Sequence, residues 1–368
     1  MIDELPITEY SHFSFHHDLR AQPDSNFKHQ MSQQATLEVL QASVNDVRHL
    51  ASMIRGVAFV NRATVSISEA GITVTVEEAR SLIANAYIPY TLFSSYVFNP
   101  PQVPGDATAS QDSDSQPPAA VFEVQLDVLL ECLNIFGTAG GNLLAKGGAG
   151  VEQKPRGKAQ GKGKGKEWAD LNANRLDNYF TSSKATALRM SYQGEGYPLT
   201  LLLAEDASGP KTTCEVTTLE PEPNLELPFD DDEKVVKLIM KSVWLREALS
   251  EIDQSCDTLS IICTPPGGGK RQPPLRIHAV GAFGSTEMDY PNDREVLELF
   301  ECVERVSFNY RYRHIARALR PLQSSLKVSL RIDGDGLLSL QFMMPASQGA
   351  LIEFKACNDA CVTCYPFD

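Results

Sequence analysis

One pattern of predicted secondary structure occurs four times along the chain, and this repetition constrains the fold more than any other feature of the sequence. Each copy begins with a strand-like segment, continues with a short amphipathic helix and ends with further alternating, strand-like segments. The four copies begin at Thr36, Val121, Lys234 and Val306. Because repeated supersecondary units bury a core by stacking on each other, we predict an α+β architecture. We expect two similar domains, each of two βαβββ units, with helices on one side and sheets on the other.

Segments of biased composition separate the copies and predict the domain boundaries. We expect a flexible N-terminal tail at 1–35, a first domain at 36–218, a connector at 219–233, a second domain at 234–357 and a C-terminal tail at 358–368. The first domain is interrupted by a basic insertion at about 138–185. The insertion is rich in glycine and lysine and the connector in proline and acidic residues, compositions that do not build a core.

Composition narrows the class of protein. The chain has 368 residues and a formal net charge of −14, so a nucleic-acid partner cannot be inferred from total charge. No apolar run reaches the roughly 18 residues that cross a bilayer, and the first residues lack a secretory signal, which predicts no membrane partner. The eight cysteines show no framework spacing. We expect them to be free thiols in a reducing compartment.

Arginines lie on the predicted outer faces of three of the four helices. The first helix carries Arg48 and Arg55, the third carries Arg246, and the fourth carries Arg313 and Arg317. The second helix carries acidic residues instead. In an acidic chain this distribution favours a surface that contacts phosphates without reading bases. The alternative is that these charges only keep exposed helix faces soluble.

Three short strings could hold a metal or a phosphate, and we interpret all three otherwise. The acidic run at 230–233 lies on an extended segment, whose carboxylates point in alternate directions and cannot surround a metal. Cys357, Cys361 and Cys364 have no nearby histidine as a fourth ligand. The glycines before Lys270 lack the spacing of a phosphate-binding loop. We therefore predict no metal, no cofactor and no catalytic residue.

Eight stretches of the chain carry a resemblance to a known family. They are VNDVRHL (44–50), GITVTVEEA (71–79), IANAYI (83–88), LLECLNIFG (129–137), ALRMSYQGEGYPL (187–199), LREALSEID (245–253), MDYPND (288–293) and KVSLRIDGDGLLSLQFM (327–343). In this order they resemble the Rad-one family of checkpoint sliding-clamp subunits, which is related to proliferating cell nuclear antigen. The resemblance extends over about 36–356. The lysine-rich insertion departs from the family pattern, which has a short loop there.

The resemblance implies a non-enzymatic subunit of a heterotrimeric nuclear ring, the nine-one-one clamp, which encircles double-stranded DNA at damage sites and supports checkpoint signalling and repair. The implied partners are a Rad-nine-like and a Hus-one-like subunit, a clamp loader, and repair and signalling proteins. The helix arginines would then face the DNA channel. Two edge strands would pair with neighbouring subunits, through Leu199, Leu201, Leu203, Ser285, Glu287 and Asp289. A 3′–5′ DNA exonuclease and an interaction scaffold that does not encircle DNA are the alternatives.

One segment of the insertion resembles the peptide by which partner proteins bind sliding clamps. Leu176, Tyr179 and Phe180 have the i, i+3, i+4 spacing that places three apolar side chains on one helical turn. Ala173 stands where such peptides carry a glutamine. We interpret the segment either as a plug that visits the pocket beside the subunit's own connector or as a locally packed turn.

Overall fold

The computed structural model describes residues 38–101, 119–139, 185–206, 208–266, 272–345 and 349–359. The predicted plug residues Leu176, Tyr179 and Phe180 lie outside these ranges, as do the predicted N-terminal tail and the middle of the insertion. The described residues form one compact unit with a continuous apolar core. None of the helices among them is both long enough and apolar enough to span a bilayer.

The first half of the chain contains nine strands and two α-helices among its described residues. The first unit consists of β1 (Leu40–Val44), α1 (Val47–Val57), β2 (Arg62–Ser68), β3 (Gly71–Glu78), β4 (Leu82–Pro89) and β5 (Ser95–Phe98). The second unit consists of β6 (Ala120–Gln125), α2 (Leu126–Leu133), β7 (Ala187–Tyr192), β8 (Leu199–Ala204) and β9 (Lys211–Val216). A short 3₁₀ helix, Tyr90–Leu92, joins β4 to β5.

The second half repeats this order. The third unit consists of β10 (Lys234–Lys241), α3 (Ser242–Glu251), β11 (Thr258–Cys263), β12 (Leu275–Gly281), β13 (Gly284–Tyr290) and β14 (Leu297–Cys302). The fourth consists of β15 (Val306–Arg311), α4 (Tyr312–Ala316), α5 (Leu319–Leu322), β16 (Lys327–Asp333), β17 (Leu338–Met343) and β18 (Leu351–Ala356). Among the described residues, four strands follow the helix in the first and third units. The predicted βαβββ pattern has three strands at this place.

The described strands form three antiparallel sheets. The largest has nine strands in the order β14-β10-β16-β17-β18-β4-β3-β2-β6. The others have five strands, β5-β1-β7-β8-β9, and four strands, β13-β12-β11-β15. In the nine-stranded sheet β18 pairs with β4, from Leu351 opposite Tyr87 to Ala356 opposite Leu82. This pairing joins the two halves of the chain in one sheet.

The helices cover one face of the nine-stranded sheet. Helix α1 packs on β3, β4 and β18, and α3 packs on β10 and β16. Helix α1 also lies beside α2 and α5, and α5 lies beside α3, so the helical segments form one layer. A Cβ atom at Gly56 would collide with Cδ1 of Ile352, which shows how closely α1 approaches β18.

Local sequence explains where the helices begin and end. Helix α1 begins after Asp46, whose side chain accepts a hydrogen bond from the Arg48 amide and caps the first turn. The fourth unit has two short helices, α4 and α5, where the pattern predicted one. Pro321 has no amide hydrogen, so the Arg317 carbonyl cannot accept the usual helical bond from four residues ahead and accepts instead from the Arg320 amide at 3.2 Å.

One cysteine departs from the expectation of free thiols. The cysteines at 132, 214, 256, 263 and 302 are free. Cys357, which follows β18, is disulfide-bonded. The expectation is therefore wrong for Cys357.

Candidate nucleic-acid interface and connector

The side chain of Arg48 is bound to Asp46, the N-cap residue of its own helix. Its amide and its Nε donate to Asp46 Oδ1 at 3.0 and 2.9 Å, and its guanidinium also forms an ion pair with the same carboxylate. Burial alone would raise the pKa of Asp46, but the hydrogen bonds and charge of Arg48 lower it below its ordinary value. The positive charge of Arg48 is therefore largely compensated by the capping residue.

Arg55 and Arg317 are also bound within the chain. Arg55 Nη2 donates to the Ala139 carbonyl oxygen at 3.2 Å, and burial lowers the pKa of Arg55. Arg317 donates two hydrogen bonds of 2.9 Å to the Glu78 carboxylate, and its guanidinium lies 5.9 Å from the centre of the Phe59 ring. Three of the five arginines predicted to face DNA thus have intramolecular acceptors.

Arg246 and Arg313 differ from these three. Arg246 on α3 is half-buried and Arg313 on α4 is exposed. Neither side chain forms a hydrogen bond or an ion pair with another residue in the described part of the chain. That these arginines face DNA stays a prediction.

Arginines of the fourth unit converge on one cavity of about 860 Å³. We name it the arginine cleft after the four that line it, Arg311, Arg313, Arg317 and Arg320. Its other walls come from the α3–β11 loop, from α4 and α5, and from Asp359 beyond β18. The sequence predictions missed Arg311 because they considered helices alone. The signal was present, since four arginines lie within residues 311–320.

A buried histidine lies on the same helix as the cleft arginines. His314 is 1% exposed, and neither ring nitrogen has a hydrogen-bond partner among the described residues. Burial, reinforced by the charges of Arg313, Arg311 and Arg317, lowers the pKa of His314 to about 4, while Glu78 acts in the opposite direction. His314 is therefore neutral near pH 7.

The sheet edges differ from the predicted ones in the first half. Strand β8 lies between β7 and β9 and pairs with both, so its backbone groups have partners on each side. Leu199, Leu201 and Leu203 are buried. The expectation from the family resemblance that these three residues lie on an edge strand is wrong, because β9 follows β8 in the sheet and pairs with its second side. The edge of this sheet is β9.

Strand β13 is an edge strand, and the backbone amides of three of its residues point away from the sheet. Gly281 and Gly284 flank a two-residue turn and must form a hydrogen-bonded pair. The alternation of an antiparallel ladder then directs the amides of Ser285, Glu287 and Asp289 away from β12. These amides are free to pair with a further strand.

The connector crosses the face of the nine-stranded sheet opposite the helices. Its amides at Glu222 and Leu225 donate to carboxylate oxygens of Glu123 on β6 and Glu77 on β3, at 2.8 and 2.7 Å. Glu77 follows the buried Val76, and successive side chains of a strand point to opposite faces. The connector therefore lies on the side of β3 that α1 does not cover.

The second part of the connector is held by basic side chains. The Leu227 carbonyl accepts a hydrogen bond of 3.0 Å from Lys355 Nζ on β18. Arg331 on β16 donates to Asp231 Oδ1 at 2.8 Å, and its guanidinium carbon lies 4.7 Å from the centre of the Phe229 ring. Phe229 and Asp231 thus hold the connector on a single arginine.

That arginine belongs to a buried polar network. Arg331 Nη2 donates to Glu353 Oε1 at 2.9 Å, and the two side chains are 10% and 7% exposed. Ser339 Oγ and Gln341 Nε2 donate to the same oxygen at 2.8 and 3.2 Å. A buried ion pair is stable only when hydrogen bonds satisfy its remaining atoms. The carboxylate of Glu353 meets this condition, whereas Arg331 Nε is buried without a hydrogen-bond partner among the described residues.

Comparison with known proteins gives a consistent result. A family model described as repair protein Rad1/Rec1/Rad17 matches residues 39–344. The chain is 31% identical over 322 residues to the cell cycle checkpoint protein RAD1 of Homo sapiens, covering 87% of this chain and 92% of that protein. It is 29% identical over 311 residues to the DNA damage checkpoint control protein rad1 of Schizosaccharomyces pombe, covering 84% and 83%.

A third relative corrects one expectation. The protein named DNA repair exonuclease REC1 in Mycosarcoma maydis is 28% identical over 431 residues, covering 89% of this chain and 93% of the relative. We expected no enzymatic activity, and a relative named as an exonuclease contradicts that expectation. Within the described ranges, no group of three or more histidine, cysteine, aspartate or glutamate side chains is placed to hold a metal ion.

The family match covers nearly every structural feature given above. It runs from β1 to the end of β17 and includes α1, the connector and the residues of the arginine cleft before Asp359. The chain therefore belongs to the Rad1/Rec1/Rad17 family of repair proteins.

Proposed function

We propose that the chain is one subunit of a heterotrimeric checkpoint clamp that encircles double-stranded DNA in the nucleus and supports damage signalling and repair. Family membership carries the proposal, since the relatives from Homo sapiens and Schizosaccharomyces pombe are named as checkpoint proteins. The other members of the ring would be a Rad-nine-like and a Hus-one-like subunit. A clamp loader and downstream repair and signalling proteins complete the proposed set of partners.

The sheet topology supports ring assembly. The nine-stranded sheet combines five strands of the second half with four of the first, joined where β18 meets β4. Each of the other two described sheets belongs to one half of the chain. The five-stranded sheet of the first half has β9 at one edge, and the four-stranded sheet of the second half has β13 at one edge. A neighbour with the same fold could join these edges and build a second nine-stranded sheet.

The positions of the strands in their units support the same pairing. Strand β13 comes third after its helix in the third unit, as β4 does in the first, and β9 ends the second unit as β18 ends the fourth. Contact between β9 of one subunit and β13 of the next would repeat the internal β18–β4 contact between subunits. Such head-to-tail contacts close into a ring when the rotation fits. This reading treats the halves as two domains that meet at the β18–β4 pair.

One substitution in β13 tests the assembly. Proline at Glu287 removes an outward-directed amide without removing a hydrogen bond to β12, so the hairpin should survive and the neighbouring strand should be lost. The matched control Glu287→Ala loses the same side chain, including its ion pair with Arg276, but keeps the amide. Size-exclusion chromatography with light scattering should show a one-to-one-to-one complex for wild type and Glu287→Ala, and none for Glu287→Pro.

Two results would contradict this assembly. A stable homotrimer of the isolated chain would mean that similar but different subunits are not required. Normal ring formation by Glu287→Pro would mean that β13 does not form the intersubunit strand pair.

A second candidate function is DNA exonuclease activity, favoured by the name of the Mycosarcoma maydis relative. Purified chain with Mg²⁺ or Mn²⁺ would then shorten 5′-labelled single-stranded DNA from its 3′ end. The same assay on the assembled ring separates activity of the subunit from activity that assembly changes. Copurifying nuclease is recognised when activity and protein do not elute together.

A further inference from the structure

We propose that Cys132 and Cys214 form a redox-sensitive pair, which a peroxide converts to a disulfide that ties helix α2 to strand β9. The two cysteines lie on either side of the insertion at about 138–185, far apart in the sequence. The pair requires neither ring assembly nor DNA, so the isolated chain is sufficient for its test.

The fold brings the two cysteines to one contact between elements. Helix α2 packs on β9, and Cα atoms of the two elements approach to within 8 Å. In β9 the side chains of Thr212, Cys214 and Val216 share the more buried face, since successive side chains alternate. Cys132 follows the buried Leu129 by three residues and therefore lies on the same face of α2. Both cysteines pack against the apolar core.

The two thiols interact directly. The side chains of Cys132 and Cys214 are hydrogen-bonded to each other, and both residues are free and half-buried. A disulfide requires Cα atoms about 4.5–7 Å apart and sulfur atoms about 2.0 Å apart. Cys132 lies in the last turn of a short helix, and helix ends yield more readily than helix centres. A small displacement of this turn therefore brings the sulfur atoms together.

A second pair of neighbouring cysteines, Cys263 and Cys302, is less suited to this reaction. The two are near enough for charge on one to affect the other, but Cys263 is 0% exposed and out of reach of an oxidant. Sγ of Cys302 instead donates to the Glu304 carbonyl oxygen at 2.9 Å. Cys132 and Cys214, in contrast, combine a direct thiol contact with partial access to solvent.

The surroundings assign different roles to the two thiols. Burial, followed by the Cys214 thiol and the charge of Glu131, raises the pKa of Cys132 to about 11. Cys132 is therefore protonated near neutral pH and is a poor nucleophile, because the thiolate is the reactive form. We assign Cys214 as the thiol that attacks the peroxide and Cys132 as the thiol that resolves the product.

The reaction balances in two steps. The Cys214 sulfur attacks one oxygen of hydrogen peroxide, the O–O bond breaks, and a sulfenic acid and one water molecule result. The Cys132 sulfur then attacks the sulfenic sulfur, and the hydroxyl leaves with the Cys132 proton as a second water molecule. The two thiols lose two electrons and the peroxide gains them.

The disulfide would restrain the edge of a sheet. Strand β9 pairs with β8 on one side and has no strand partner on the other side in the described chain. A covalent link to α2 adds a second attachment for this edge strand. A link between distant positions also limits the conformations of the unfolded chain, which raises thermal stability.

Peroxide treatment of the reduced, folded chain tests the pair. Remaining thiols are blocked with N-ethylmaleimide, and the digested chain is analysed by mass spectrometry. We expect a pair of linked peptides that contain Cys132 and Cys214 and that separate after dithiothreitol. The matched control is Cys302→Ser, which removes a half-buried thiol from another sheet and should form the same link as the wild type.

Single substitutions test the two roles. In Cys132→Ser the sulfenic acid of Cys214 has no resolving thiol, so dimedone should trap it. In Cys214→Ser, dimedone should label Cys132 much less. The oxidised wild type should melt about 5 °C or more above the reduced wild type, and Cys214→Ser should lack this increase.

Several results would overturn the proposal. One is oxidation of Cys214 to a sulfinic acid without a link to Cys132, and another is a link that occurs only between two copies of the chain on a non-reducing gel. A linked chain that melts at or below the temperature of the reduced chain would do so too, because the disulfide would then strain the fold. Ring assembly is measured separately on the reduced chain, so failure of the ring does not affect this result.

Discussion

Glu78 at the end of β3 and Arg317 after α4 form a doubly hydrogen-bonded ion pair across 239 positions of sequence. The pair ties the first unit of the chain to the fourth. It also explains why Arg317 differs from Arg313, although the two were predicted to play one role. Arg313 has no acceptor in the described structure, whereas Arg317 already has a carboxylate.

A double-mutant cycle on this pair should reveal a modest coupling. The side chains of Arg317 and Glu78 are 36% and 19% exposed, so solvent screens part of their attraction. We expect a coupling free energy of about 1 kcal/mol between Glu78→Gln and Arg317→Gln in urea unfolding. Strictly additive effects of the two substitutions would show that the ion pair does not stabilise the fold.

The buried pair of Arg331 and Glu353 should contribute more. Glu353→Ala leaves Arg331 with one acidic partner, the exposed Asp231, and creates a buried charge without its main acceptor. We expect a loss of about 3 kcal/mol in the free energy of unfolding. Replacing the pair by Met and Leu should recover much of this loss, because no charge then remains buried. A loss below about 1 kcal/mol for Glu353→Ala would indicate that water reaches the site.

Phe229 should control how firmly the connector is held without controlling global stability. Phe229→Ala removes the ring that stacks on Arg331 but leaves the Asp231 hydrogen bond. Because a partly exposed cation–π contact contributes about 1 kcal/mol, amides near 225–231 should exchange several times faster. Hydrogen exchange with mass spectrometry measures this, with Glu226→Ala as the control at an exposed connector position. Equal exchange in both variants would mean that Phe229 does not anchor the connector.

Sequence periodicity predicted local features well. Val47, Leu50, Ala51 and Ile54 have helical spacing and are buried on α1. That residues 219–233 connect two domains stays a prediction, and the segment lies across the sheet that joins the halves. Strand β4 has a weak sequence signal, because alanines and a terminal proline are not typical of strands.

Features that depend on distant partners could not be predicted in this way. The alternation of Leu199, Leu201 and Leu203 gives the buried face of β8 but not the neighbours on either side. The charge of Arg317 is visible in the sequence, but its pairing with Glu78 depends on how β3 meets α4. Asp46 was close enough to Arg48 to suggest their hydrogen bonds, and that local signal was overlooked.

His314 should make stability depend on pH below neutrality. Its pKa falls from the ordinary 6.5 to about 4 in the folded chain, chiefly because of burial. Between these values the unfolded chain binds a proton that the folded chain does not, so stability decreases as pH falls through this window. The contribution is fully present above pH 6.5 and is lost at about pH 4. The shift corresponds to about 3 kcal/mol.

Substitution of this histidine isolates its share of the pH dependence. His314→Gln cannot gain a proton, so its free energy of unfolding should vary less between pH 6.5 and 4 than that of the wild type. His278→Gln, at a half-buried position on β12, controls for removal of a histidine elsewhere. Urea unfolding at a series of pH values measures the difference. The same pH slope for His314→Gln and wild type would show that His314 is protonated in the folded chain as readily as in the unfolded one.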